Sequence, residues 1–290
     1  MYVARFILTL VFCVASLSHS ALADGRLVAI IAVDTLSGEI KRDMQTNAKM
    51  LETALRRNVP PHRLDIHILK DNGWSRDGAS QTIRDLNVSE DDALFFFYSG
   101  HGYYQNGSFF TPPADQGNRL YFSDVRNALL GKGARLTVSV LDCCQTHPGD
   151  VNVAPAPGPA DVSTTDEVST LFQDLFFASH GEFILNSSSP REYALSKYLW
   201  LTNGQVAVTN GSLFTTLLAR SWGATIFDET LTALPTQVDS WQELYRFLRH
   251  HTHQRFELAR EYRLLTLGNG RQINQRTQTV RAHHDGRLLE

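Results

Sequence analysis

Two apolar runs in this chain each end in a phrase that carries chemistry. Ala93 to Tyr98 leads into Ser99-Gly100-His101-Gly102, and Leu136 to Leu141 leads into Asp142-Cys143-Cys144. Ala93 to Tyr98 is apolar throughout, the pattern of a strand covered on both faces as in a parallel sheet, and Leu136 to Leu141, with Thr137 and Ser139 between its apolar residues, reads as a further strand. In open α/β sheets the reacting groups collect beyond the carboxyl ends of neighbouring parallel strands. An imidazole and a thiol are therefore expected together there, as the Cys-His dyad of a cysteine hydrolase.

The surrounding pattern agrees. Leu27 to Val33 is another continuous β-branched run, and Met44, Ala48, Leu51 and Leu55 then recur at helical spacing until Pro60-Pro61 stops them. Leu64 to Leu69 predicts a second strand, Ser123 to Leu130 a short helix, Glu182 to Leu185 a later strand, and Ser212 to Trp222 a helix. Ser240 with Glu243 predicts a capping box that opens a long helix. Strands alternating with helices imply a parallel sheet with right-handed crossovers. With 290 residues, 42% of them hydrophobic, the chain can fill one large core. Its net charge of -3 and lack of a long basic run argue against nucleic acid or a membrane surface as the partner.

The first residues read as an address. Met1 to Arg5 supplies a positive start, Phe6 to Leu17 an apolar stretch, and Ala21-Leu22-Ala23 a cleavage site of small residues. That is a secretory signal over residues 1–23, sending the protein to the periplasm or outside the cell. An uncleaved anchor is the rival, but spanning a bilayer takes about 20 apolar residues. Removing the signal takes Cys13 with it and leaves Cys143 and Cys144. A disulfide between neighbours would be strained, so the pair is better explained by reactivity, either as a nucleophile or as a vicinal redox switch. Two small buried side chains at a strand end are the plain alternative.

Attack on a peptide carbonyl needs a thiolate, and a free thiol with a pKa near 8.5 is mostly protonated at neutral pH unless an imidazole takes the proton. His101 is the candidate base. The glycines beside it keep side chains off the scissile bond, and the backbone N–H groups of Gly102 and Cys144 are the candidate oxyanion donors.

With these phrases at the ends of successive strands, the chain resembles the caspase-like cysteine peptidases, and above all their metacaspase branch with its Asp-x-Cys signature. Ser187-Ser188-Ser189-Pro190-Arg191-Glu192-Tyr193-Ala194 is similar to the strand and turn after that family's active-site loop, and Gly211-Ser212-Leu213-Phe214-Thr215 to its next helix start. The resemblance implies an α/β fold, a mostly parallel sheet flanked by helices on both faces. It also implies one peptidase domain over 24–290, with a large-subunit-like part to about 145, a long loop over 146–180 and a small-subunit-like part from about 181.

By the same resemblance Cys144 is the nucleophile and Cys143 an intervening packing residue. Asp142 then lines a pocket for a substrate Lys or Arg, with Asp43 as a second pocket acid. Capping of local backbone amides is the other reading of Asp142. The chain departs from the metacaspase pattern at Gln145-Thr146-His147, where relatives continue His-Ser-Gly. This departure favours the alternative of a catalytically weak or silent binding module.

Metacaspases often require calcium. Glu90-Asp91-Asp92 is acidic, yet no oxygen-ligand loop of calcium spacing is visible, so the residues themselves predict no metal site and no other cofactor, and calcium stays open on the resemblance alone. His250, His251, His253 and the pair His283-His284 read as solvated polar faces rather than metal ligands. Gln145 to Pro190 holds no Lys or Arg, so an enzyme selective for basic residues could not cut itself there. The expected form is an unsplit monomer acting on a polypeptide substrate.

Overall fold

A computed structural model describes residues 25–37, 40–105, 108–111, 120–144, 164–195, 197–202, 205–223, 238–261 and 275–289. The signal at 1–23 and the Gln145-Thr146-His147 stretch lie outside the described residues, as does nearly all of 148–165. Among the described residues, no helix is long and apolar enough to cross a membrane.

The first half alternates as the patterning requires. It runs β1 (Leu27–Val33), α1 (Lys41–Asn58), β2 (Leu64–Leu69), α2 (Arg76–Asp85), β3 (Ala93–Gly100), three short strands β4 (Tyr103–Gln105), β5 (Ser108–Thr111) and β6 (Leu120–Tyr121), α3 (Phe122–Leu130) and β7 (Leu136–Cys143). The second half holds α4 (Thr170–Phe172), which runs into a π-helical turn Gln173–Ala178, then β8 (Gly181–Asn186), β9 (Lys197–Thr202), β10 (Gln205–Asn210), α5 (Leu213–Ser221), α6 (Trp241–Glu261), β11 (Arg281–His284) and β12 (Arg287–Leu288).

Among the described residues, seven strands form the main sheet in the order β12-β11-β8-β7-β3-β1-β2. The pairs among β2, β1, β3, β7 and β8 are parallel, and β11 joins β8 antiparallel, with β12 folded back on it. Every residue of β1, β3 and β7 is buried, because successive side chains feed two separate cores. Ala29, Ile31, Phe95, Phe97, Val138 and Val140 pack toward α1, α5 and α6. Val28, Ile30, Leu94, Phe96, Tyr98, Leu141 and Cys143 pack toward α2 and α3. Each fully buried Phe or Leu contributes roughly 1.5–3 kcal/mol, so a sheet covered on both faces is the main source of stability. The chain thus has the mostly parallel α/β sheet expected of a caspase-like fold.

Two expectations change. The connection foreseen as a loop to residue 180 is helical from Thr170, since Phe172, Leu175, Phe176 and Phe177 bury themselves in the α1-side core. Ser240 does accept from the Glu243 N–H at 3.3 Å, but the Glu243 carboxylate reaches back to the N–H of Asp239 rather than of Ser240.

Candidate active site

The register of β3 on β7 brings the two signature phrases together. Ser99 is paired with Asp142 and Gly100 with Cys143, so His101 and Cys144 are each the next residue beyond the last pair of two adjacent parallel strands. Such strands lie about 4.8 Å apart, within the span that one peptide carbonyl fills. Alternation sets the faces. Cys143 packs among Tyr98 and Leu141 on the α2 side, whereas Ser99 and Asp142 bond to residues of α1 and α5. Both cysteines are free thiols. With Cys143 turned into the α2-side core and Cys144 bonded elsewhere, the geometry does not favour a vicinal switch.

The Cys144 sulfur accepts the Ala194 N–H at 3.3 Å and lies 3.7 Å from the Ala194 carbonyl oxygen, to which the thiol donates. In this arrangement its partner is Ala194 rather than the His101 ring. Burial pushes the Cys144 thiol up to about 11, the Ala194 N–H opposing the shift and the nearby Asp142 adding to it. A thiol so placed is protonated at rest and needs a base to become a nucleophile.

Residues 187–195 form the wall that holds this sulfur. Cys143 N–H donates to Ser187 Oγ at 3.1 Å, and Ser188 Oγ donates to the Cys143 carbonyl at 2.9 Å, so two buried serines knit the wall to the end of β7. Behind it runs the segment 275–279. Tyr193 N–H donates to Gln275 Oε1 at 2.6 Å, and Leu195 N–H to Gln278 Oε1 at 3.0 Å. The Glu192 carboxylate accepts from the N–H groups of Ser189 and Thr279 and from the hydroxyls of Thr277 and Thr279.

On the α1 side lies a buried polar network. Asn47 Nδ2 donates to Ser99 Oγ at 2.7 Å and Ser212 Oγ at 3.2 Å, and Asn47 Oδ1 accepts the Ser212 N–H at 2.9 Å. Ser212 is the N-cap of α5, accepting the Thr215 N–H, and its hydroxyl donates to Asp142 Oδ2. That same oxygen accepts from the hydroxyl and the N–H of Thr215. Burial pushes the Asp142 carboxyl up, and the bonds from Ser212 and Thr215 only partly offset it. Asp142 therefore caps α5 through Oδ2, while Oδ1 is buried without a partner among the described residues. Asp43, in the first turn of α1, accepts the Gly211 N–H at 3.3 Å. The two candidate pocket acids thus meet on either side of Gly211-Ser212. Gly211 has φ +98, and a Cβ there would lie 2.7 Å from Met50 Cε, so this junction admits only glycine without strain.

Sequence reasoning missed Asn47 and Ala194. Asn47 lies one position from the α1 apolar stripe and reads as an ordinary helix polar residue. Ala194 acts only through its backbone, which leaves no residue-type signal. The Asp92 carboxylate in the acidic cluster is occupied by the N–H groups of Arg26 and Ser89. Among the described residues, no group of three or more His, Cys, Asp or Glu side chains is arranged to hold a metal ion.

A family model describing the caspase domain matches residues 41–281, which is most of the chain. The chain belongs to the caspase domain family, a family of cysteine-type peptidases. No curated protein matches it.

Proposed function

We propose that this chain is an exported, metacaspase-like cysteine endopeptidase that cleaves polypeptides after Lys or Arg. Cys144 is the nucleophile and His101 the base. The imidazole takes the thiol proton as sulfur attacks the scissile carbonyl carbon. The N–H groups of Gly102 and Cys144 receive the developing oxyanion. Collapse of the tetrahedral adduct breaks the C–N bond, the imidazolium protonates the leaving amine, and water then hydrolyses the thioester. No metal or other cofactor takes part in these steps.

The observation that supports this reading is the Gly100–Cys143 pairing, after which His101 and Cys144 are the next residues on two neighbouring parallel strands. Preference for a basic residue rests on Asp142 and Asp43 around Gly211-Ser212. The monomer reading draws on the Lys- and Arg-free stretch from Gln145 to Pro190 and on β12, which covers the edge of β11. Export rests on the pattern of residues 1–23 alone.

One observation favours a second reading, a silent binding module: the sulfur bonds Ala194 and is held as a thiol. A peptide probe with Arg at the first position and an acyloxymethyl ketone warhead separates the two. Covalent mass at Cys144, lost in Cys144→Ala and slowed in His101→Ala, is the expected result. If the folded wild-type protein takes up no label, the peptidase reading fails.

A further inference from the structure

Tyr98 is the last residue of the β3 core run and is wholly buried on the α2 side of the sheet. Its ring stacks on Trp74, with centroids 4.7 Å apart and planes inclined by 29°. Its hydroxyl does not end in the apolar core. It donates to the carbonyl oxygen of His101 at 2.6 Å, three residues further along the chain. Burial pushes the Tyr98 hydroxyl well above its ordinary value, so it stays a phenol and a donor throughout the working pH range.

The space for this bond is reserved by Gly100. A Cβ on Gly100 would lie 2.6 Å from the Tyr98 hydroxyl and 2.5 Å from Asp34 Cβ, so any larger residue would push the hydroxyl aside. Asp34 itself continues the ladder past β1, its N–H donating to Ser99 O at 2.9 Å. The backbone from Ser99 to His101 is thus held from two sides, by Asp34 N–H and by the Tyr98 hydroxyl.

The carbonyl of His101 and the N–H of Gly102 belong to one peptide group. In a planar trans peptide these two point in opposite directions, and the described residues contain no cis peptide bond. A hydroxyl that pulls the His101 oxygen toward the α2-side core therefore turns the Gly102 hydrogen toward the opposite face. That face carries Ser99 and Asp142 and, by alternation, Cys144. A hydrogen bond to the carbonyl also polarises the peptide and makes its N–H a stronger donor.

We infer that Tyr98 is a positioning residue for catalysis: its buried hydroxyl orients and polarises the His101–Gly102 peptide so that the Gly102 N–H faces the oxyanion formed on the Cys144 adduct. This rests on the peptidase reading above. It assigns the hydroxyl to stabilisation of the tetrahedral state, not to the reactivity of the sulfur. Loss of a whole oxyanion donor costs about 10²–10³ in rate, so a donor left in place but misdirected should cost roughly tenfold or more.

The test is Tyr98→Phe, which keeps the ring and its stacking and removes only the oxygen. Three quantities are measured on wild type and variant: kcat and KM on a peptide with Arg at the first position, the inhibition constant of the aldehyde of that same peptide, and the alkylation rate of Cys144 by iodoacetamide. An aldehyde forms a tetrahedral adduct that needs the oxyanion donors, whereas iodoacetamide is displaced at carbon and needs none. The expected result is a kcat about tenfold or more lower with KM little changed, aldehyde affinity weakened by a matching factor, and alkylation within about twofold of wild type. Wild-type kcat in Tyr98→Phe overturns the inference, as does an equal loss in aldehyde affinity and alkylation, which would move the effect to the thiol or imidazole. A wild type without turnover sinks the peptidase reading instead. Should the variant fold poorly, the wild-type Gly102 amide proton resonance must move downfield on aldehyde binding, and a stationary resonance overturns the inference equally.

Discussion

The backbone N–H of Ala194 donates to the sulfur of Cys144 at 3.3 Å, although the two residues are fifty positions apart in the chain. This bond, together with burial, defines the resting state of the thiol. Burial outweighs the N–H and raises the thiol from its ordinary value of 9.0 to about 11.

A pH dependence follows with a definite sign. The folded protein prefers the protonated thiol, so this group contributes stability that is present below pH 9.0 and is lost as pH rises toward about 11. In His101→Ala, where no imidazole takes the proton, alkylation of Cys144 by iodoacetamide should keep climbing above pH 9.0 and level off only near 11. Wild type should react faster than the variant at neutral pH. A plateau near pH 9.0 in His101→Ala would show an ordinary, solvated thiol and contradict the half-buried sulfur bonded to Ala194.

The wall behind the sulfur depends on Glu192, whose carboxylate accepts four hydrogen bonds from Ser189, Thr277 and Thr279. Glu192→Ala should free the segment 275–279 from residues 187–195 and lower stability by roughly 2 kcal/mol, since hydrogen bonds to a charged group are among the stronger ones. The loss is measured as a lower denaturation midpoint. Limited proteolysis should in addition cut the variant near Arg276 faster than wild type. An unchanged midpoint together with an unchanged cleavage rate would show that Glu192 does not tie the two segments.

Asn47 joins three elements with no exposure of its own, binding Ser99 of β3 and both the N–H and the hydroxyl of Ser212 at the start of α5. Asn47→Ala leaves the Ser212 N–H without its acceptor and opens a small cavity. The expected cost is about 3 kcal/mol, measured by urea denaturation at unchanged slope. Because Ser212 holds Asp142, the variant should also raise KM for substrates with a basic first residue more than it lowers kcat. A proportionate change for basic and neutral substrates would separate Asn47 from specificity.

Much of the frame is legible along the chain because its cause is local. The β1 run is apolar throughout and β3 is so up to Tyr98, and a strand of that kind has to be covered on both faces, whereas β7 alternates through Thr137 and Ser139 and only packing decides that its second face is buried as well. The α1 stripe of Met44, Ala48, Leu51 and Leu55 is buried as its spacing requires. Two hairpins escaped notice, β4 with β5 and β9 with β10. Their signals are present as Asn106-Gly107 and Asn203-Gly204, the dipeptide most favoured between short paired strands. β11 and β12 are joined by Asp285-Gly286, a turn dipeptide of the same kind with both residues at positive φ, whereas Arg281-Ala282-His283-His284 is polar and only the edge of β8 makes it a strand.

Residue order by itself determined that an imidazole and a thiol follow two buried strands, because hydrophobic patterning reports which segments must leave water and what comes directly after them. It could not determine that those strands are neighbours, that Asp142 caps α5 while meeting Asp43 across Gly211-Ser212, or that Ala194 holds the sulfur. Those are contacts between residues far apart in the chain, made through backbone groups and shared burial. Only the closing of the sheet and the packing of α1 and α5 against it bring them within bonding distance.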